Sequence, residues 1–89
     1  MDVSLKAIKT NLRTVTLGDV TVWFSYETPI AVLAPALGTV VRQNEWTGIT
    51  GGHMSLIDGG TAEARKKRVS KEAFDMSLRQ ALGMIAYSL

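Results

Sequence analysis

The stretch Thr14-Val15-Thr16-Leu17-Gly18-Asp19-Val20-Thr21-Val22-Trp23-Phe24-Ser25-Tyr26 decides the fold class of this chain. Val15 and Leu17 alternate with Thr14 and Thr16, and Val20, Val22, Phe24 and Tyr26 alternate with Thr21, Trp23 and Ser25. β-Branched and aromatic residues at a period of two suit strands, and Gly18-Asp19 between the runs suits a two-residue hairpin turn. Such a turn sets Leu17 opposite Val20 and Val15 opposite Val22, so these apolar residues share one face. Thr16 then meets Thr21, and Thr14 meets Trp23, on the other face. A slip of one residue would undo that division, so the register is strongly specified.

Working outward, Thr28-Pro29 predicts a second turn, because proline lacks an N–H and has a fixed φ. Ile30 to Ala34 reads as a buried strand, Pro35-Ala36-Leu37-Gly38 as a four-residue loop and Thr39 to Gln43 as the return strand. That loop places Val32 opposite Val41 and Leu33 opposite Val40, which leaves both faces partly apolar and open to cover on two sides. Residues 3–9 alternate loosely, as an added edge strand or a mobile end would. Ser70 is the expected N-cap of a final helix, with Glu72 and Asp75 near its positive end. Phe74, Leu78, Leu82, Ile85 and Leu89 form its apolar stripe, which should lie on the sheet. Glycines over 44–60 oppose regular structure, apart from a short strand or helical turn at Met54-Ser55-Leu56-Ile57 ended by Gly59-Gly60. The expectation is an α+β fold: a four- to five-stranded antiparallel sheet, a meander, packed against one C-terminal helix. Residues 1–89 form a single domain, with two hairpins over 12–43, an irregular Gly-rich and basic connector over 44–69 and a helix over 70–89.

Composition narrows the function classes. A chain of 89 residues supports one domain, and 46% apolar residues is too many for a disordered one. No apolar run approaches the ~18 residues of a membrane span, and Met1-Asp2-Val3-Ser4 shows no basic-then-apolar leader, so no membrane partner is expected. Without cysteine there is no disulfide, thiolate zinc site or thiol nucleophile, and the reducing cytoplasm is the expected location. His53 stands alone in a glycine-rich segment, and neighbouring Thr47, Thr50, Ser55 and Asp58 form no nucleophile motif. A loop-fixing hydrogen bond is the expected role of that histidine. Asp58, Glu63 and Glu45 show no metal-ligand spacing, and Gly48-Ile49-Thr50-Gly51-Gly52-His53 matches neither phosphate-binding glycine pattern. No catalytic residue, cofactor or metal is therefore assigned. Trp46 reads as an anchor of the connector. Trp23, with Thr14, Thr16 and Thr21 on a bare sheet face, offers a platform for a protein partner. Arg65, Lys66, Lys67, Arg68 and Lys71 gather five of the ten basic residues, either as a contact for DNA or RNA or as a solvated connector. Trp23, Met76, Met84 and Tyr87 leave an apolar surplus that a homodimer would hide.

Val22-Trp23-Phe24-Ser25-Tyr26-Glu27-Thr28-Pro29-Ile30-Ala31, then Gly38 to Trp46, then Thr50-Gly51-Gly52-His53-Met54, and a helix beginning near Glu72-Ala73-Phe74 follow one another in a recognisable order. From Thr14 to about Leu82 the chain resembles an uncharacterised family of small proteins carried by bacteriophages and other mobile elements. Its members show a Phe-Ser-Tyr-x-Thr-Pro strand junction, then Asn-x-Trp, then Thr-Gly-Lys-His-Leu. This chain departs from them at Gly52 and Met54, and the missing lysine weakens an anion-binding role for that segment. The resemblance implies a phage-type accessory protein of unassigned activity. The shared Tyr26, Thr28, Asn44, Trp46, Thr50 and His53 either form a site or pin the long loop to the sheet. The functional expectation is a non-enzymatic protein that binds a host or phage protein, as a host-takeover or anti-defence modulator does. Nucleic-acid binding through residues 65–71 is the alternative, and an enzyme using His53 the third reading.

Overall fold

The computed structural model describes residues 3–46 and 48–88, with backbone only from residue 84 onward. Five strands, β1 (Val3–Lys9), β2 (Leu12–Leu17), β3 (Val20–Ser25), β4 (Thr28–Ala34) and β5 (Gly38–Val41), pair antiparallel in sequence order. Three helices follow: α1 (Gly48–Asp58), α2 (Ala62–Lys67) and α3 (Lys71–Ser88). The α+β meander expected from the alternation is thus the architecture, with residues 3–9 as the added edge strand.

The first hairpin has the expected register, with Leu17 on Val20, Val15 on Val22, Thr16 on Thr21 and Thr14 on Trp23. Gly18 supplies the positive φ (58°) at its turn. The next turn falls at Tyr26-Glu27, two residues earlier than proline suggested, with Tyr26 at φ 56°. Pro29 lies inside β4 opposite Phe24, and Ile30 bulges out because proline cannot continue the ladder. The carbonyl of Ile30 accepts instead from the Arg42 N–H at 2.9 Å. The last hairpin corrects the expected register by one residue: Ala31 faces Val41, Val32 faces Val40, and Ala34 faces Gly38. Gly38, at φ 69°, serves both as the last turn residue and as the first paired one, so the loop is shorter by one.

Both sheet faces are covered, but only at one end. On one face Phe74, Leu78 and Ala81 of α3 pack on Val20, Val22, Val32 and Ala34. On the other, Met54 of α1 joins Leu12, Ile30, Ala31 and Val41, with Trp23 and Ile57 against them. Trp23 is therefore half-buried beneath α1 and Thr14 is buried; the expected bare platform is not there. The stripe of α3 is likewise corrected: Ala81 is buried where Leu82 was expected, and Leu82 is 43% exposed. A small residue at that step lets the helix lie close to the sheet. Met76 is exposed, while Leu89 and the side chains of Met84, Ile85 and Tyr87 lie outside the described residues. Ser70 caps α3 as expected, its Oγ accepting the Ala73 N–H at 3.2 Å.

The segment 44–69 is the largest departure from expectation. It holds two helices instead of an irregular connector. α1 forms despite its glycines because Thr50, His53 and Met54 are buried against the sheet, and tertiary contact overrides weak propensity. Gly59 and Gly60, both at positive φ, end it. α2 begins at Thr61, whose hydroxyl accepts the Ala64 N–H, and its basic residues cluster in the last turn where the helix dipole favours them. Val69 then donates to the Val41 carbonyl and accepts from the Gln43 N–H, a single parallel bridge at the last residue of the short β5 edge. β1 receives no such cover, and all seven of its residues are exposed.

Truncations along α3 should carry unequal costs. Phe74→Ala should lower stability by about 3–5 kcal/mol, while Leu82→Ala should stay within about 1 kcal/mol, both measured by denaturant unfolding.

Candidate functional site

Ser25 ends β3 on the face that α1 covers, since it pairs with buried Leu12. Its Oγ lies 2.7 Å from His53 Nδ1 and 3.2 Å from Thr50 Oγ1. All three side chains are buried. A hydroxyl offers one donor and two acceptor positions, so Ser25 can serve both partners at once. Next to it, Tyr26 holds the left-handed backbone that side chains other than glycine seldom adopt, and its N–H donates to the Asn11 carbonyl at 2.7 Å. Asn11 is also left-handed, so the two turns at this end of the sheet brace one another. The Tyr26 ring is tilted toward His53, with centroids 6.3 Å apart. A serine beside a histidine invites a nucleophile reading. Here the hydroxyl is sealed under α1, bonds Nδ1 and has no carboxylate orienting the ring among the described contacts. What the arrangement does is fasten α1 to β3.

Asn44 and Trp46 belong to a different place. Asn44 Oδ1 accepts the Trp46 N–H at 2.9 Å, and the Arg42 guanidinium sits 4.3 Å from the Trp46 ring centre. Arg42 is buried and also reaches Glu45 at 3.0 Å. Trp46 is thus an anchor only in part, because its outer side is exposed. The residues singled out in the sequence divide accordingly, and Thr28 pairs with Ser25 across the β3–β4 turn. Tyr26, Thr50 and His53 come together around Ser25, Asn44 and Trp46 gather at Arg42, and Trp23 joins the core under α1. Ser25 was the missed member. Its signal was a hydroxyl in strand alternation opposite an apolar residue, which must find a partner when covered.

The basic run is also divided. Arg68 is buried and holds Asp58 with two bonds, Nε to Oδ2 at 2.8 Å and Nη2 to Oδ1 at 3.0 Å. Those bonds from Arg68 hold the Asp58 carboxyl below its ordinary range; burial opposes the shift and the Gly60 N–H assists it. Lys71 pairs with Asp75 at 3.2 Å. Arg65, Lys66 and Lys67 remain as exposed cations on α2. Among the described residues, no three His, Asp or Glu side chains gather as a metal site requires. No helix there is long and apolar enough to cross a membrane.

The most exposed apolar surface lies at the other end of the sheet. In β1, Val3 is 63% and Leu5 77% exposed. Cross-strand pairing puts Val3, Leu5 and Ala7 on one face with Leu17, Val15 and Arg13. Beside them Leu5, Ala7, Val15, Phe24 and Tyr26 line a hollow of about 450 Å³. The sequence offered residues 3–9 as an added edge strand but did not mark its apolar side chains as the most exposed ones. The model of a family of unknown function (DUF8033) matches residues 3–76, from β1 into the first turns of α3. No curated protein and no solved structure matches the chain.

Two outcomes test this geometry. Ser25→Ala strands buried polar atoms of His53 and Thr50, and should cost about 1–3 kcal/mol in denaturant unfolding. Asp58 titrates lower in the folded chain, so its contribution is full above the ordinary carboxylate pKa and is lost as pH falls through the folded value. Asp58→Asn should therefore flatten the loss of stability below about pH 4, read as the melting temperature across an acid series.

Proposed function

The chain belongs to this family of unknown function, and from its own surface we propose a protein-binding module that takes an extended segment of a partner along β1. One observation carries the reading: β1 is a seven-residue strand, exposed throughout, whose outer side has no partner among the described residues. A sheet edge presents a row of backbone donors and acceptors ready for an added strand. Proteins usually cover or shorten such an edge, and the opposite edge strand, β5, has only four residues with Val69 bridged at its end. At β1 the apolar side chains Val3, Leu5 and Ala7 stand beside the hollow lined by Val15 and Phe24, which suits alternate apolar side chains of the incoming strand. Lys6 and Lys9, with no acidic residue between Val3 and Lys9, favour a partner strand carrying Asp or Glu. Lysines on an edge also discourage a second copy of the same strand.

The sealed Ser25–His53–Thr50 cluster supports a non-enzymatic role, because its hydroxyl is occupied in holding α1. In this reading the chain is a small phage-type accessory protein that acts in the host cytoplasm on a host or phage protein. Modulation or inhibition follows from occupying a partner's strand. Nucleic-acid binding keeps only Arg65, Lys66 and Lys67 of its five basic residues, since Arg68 and Lys71 are engaged in ion pairs.

A displayed library of short peptides tests the proposal. Wild type should enrich sequences that alternate apolar residues with Asp or Glu, and Leu5→Asp should lose them with little change in melting temperature. Enrichment of no pattern, or of peptides that bind the variant equally well, contradicts it.

A further inference from the structure

A second hollow, of about 430 Å³, lies where the first turns of α1 face α2. Its volume falls in the range of small-molecule sites. Steps of three and four put Gly48, Gly51, Gly52 and Ser55 on one face of α1, and that face lines the hollow. A glycine inside a helix is unfavourable relative to alanine. Gly51 has a reason within the chain, because a Cβ there would lie 2.9 Å from Asn44 Nδ2. Gly52 has none: it is mid-helix, its φ is not positive, and a Cβ would meet nothing within 4 Å. The space over it is open, and bare backbone faces that space.

The polar side chains around this space offer donors. Asn44 uses Oδ1 to accept the Trp46 N–H, and its Nδ2 has no acceptor among the described residues. The Ser55 hydroxyl is likewise unbonded there, and Arg65 is an exposed cation without an ion pair. Arg68 differs, being only 8% exposed. Asp58 takes its Nε and Nη2, so the guanidinium is fixed in place with Nη1 unpartnered among the described residues. A nearly buried arginine normally fills its donors; this one keeps a nitrogen open and lines the hollow. No Asp or Glu lines it. Because Asp58 balances Arg68, the positive field comes from Arg65 and from the first N–H groups of α1, which lack acceptors within the helix.

We propose that this hollow binds a single phosphate group, free or at the end of a small ester. Donors without competing carboxylates select an oxyanion, and glycine lets it come close to the helix backbone. The donors come from α1, from α2 and from the link before α1, which suits a tetrahedral ion better than a planar carboxylate. A long run of phosphates is disfavoured, because Lys66 and Lys67 do not line the hollow. The glycines match no phosphate-binding pattern in sequence; their cation is Arg65, which α2 brings back to the same face. The site is independent of the strand-addition reading, since α1 packs on β4 and β5 and β1 is the far edge of the sheet.

Amide NMR titration of wild type, Arg65→Gln, Lys66→Gln and Gly52→Gln is the test, with inorganic phosphate, adenosine monophosphate, adenosine and a single-stranded DNA oligonucleotide as probes. Phosphate and the monophosphate should shift the amides of Gly48, Gly51 and Gly52, and adenosine should not. The tighter of the two phosphate probes tells a free ion from an ester. Arg65→Gln should weaken binding at least ~tenfold, equivalent to about 1.4 kcal/mol, while Lys66→Gln leaves it unchanged. Gly52→Gln fills the hollow and should abolish the shifts at Gly48 and Gly51, yet melt at or above the wild-type temperature, because glutamine is the better helix former. Glycine amides that respond to neither phosphate probe overturn the proposal. So does equal weakening by Arg65→Gln and Lys66→Gln, or DNA that binds far more tightly than the monophosphate.

Discussion

The hydrogen bonds of one buried hydroxyl, Ser25 Oγ, hold the two layers of this molecule's second core together. α1 is weak as a helix by itself: it has glycines at 48, 51 and 52 and no charged residue in its first turn. Its helical state depends on what it touches. Met54 enters the apolar floor made by Leu12, Ile30, Ala31 and Val41, and Thr50 and His53 close on Ser25 beside it. Lose that seat, and Trp23 and Val41 return to water, while buried polar atoms are left without partners. The ion pair of Arg68 with Asp58 secures the end of the same helix, and the Val69 bridge holds the end of β5.

This construction makes the sheet asymmetric. Strands β3 to β5 lie between α3 and α1, as the two clusters on opposite faces show. β1 has neither layer over it. Stability therefore concentrates at one end of the meander and exposed apolar surface at the other. Local opening free energy follows burial and hydrogen bonding, so the bare strand should be the least protected element of the sheet.

Much of the fold was legible because strand alternation is a local signal. Val15, Leu17, Val20 and Val22 around Gly18 specify the first hairpin without help from the rest of the chain. The last hairpin was read one residue out because Gly38 in left-handed conformation shortens its loop. Of α1 only the last turn, Met54 to Ile57, was legible, as a strand or helical turn, because the glycines before it favour other conformations and contact with the sheet makes them helical. Leu82 and Ala81 were exchanged because hydrophobicity alone does not say which residue is small enough for close approach. The candidate site was half legible. His53 drew notice as the lone histidine of a glycine-rich segment and Thr50 through the family pattern, but the role of Ser25 became visible only when α1 covered it. Arg68 looked like its basic neighbours until its distance to Asp58 was known.

Residue-resolved amide hydrogen exchange tests most directly the claim that β1 is an open edge on an otherwise covered sheet. Amides of β3 and β4 should exchange only through global unfolding. Along β1, those facing β2 should be slowed and the alternate, outward ones should exchange near the rate of an unstructured chain. Uniform protection of β1, equal to that of β3, would show the edge already occupied and would contradict the account.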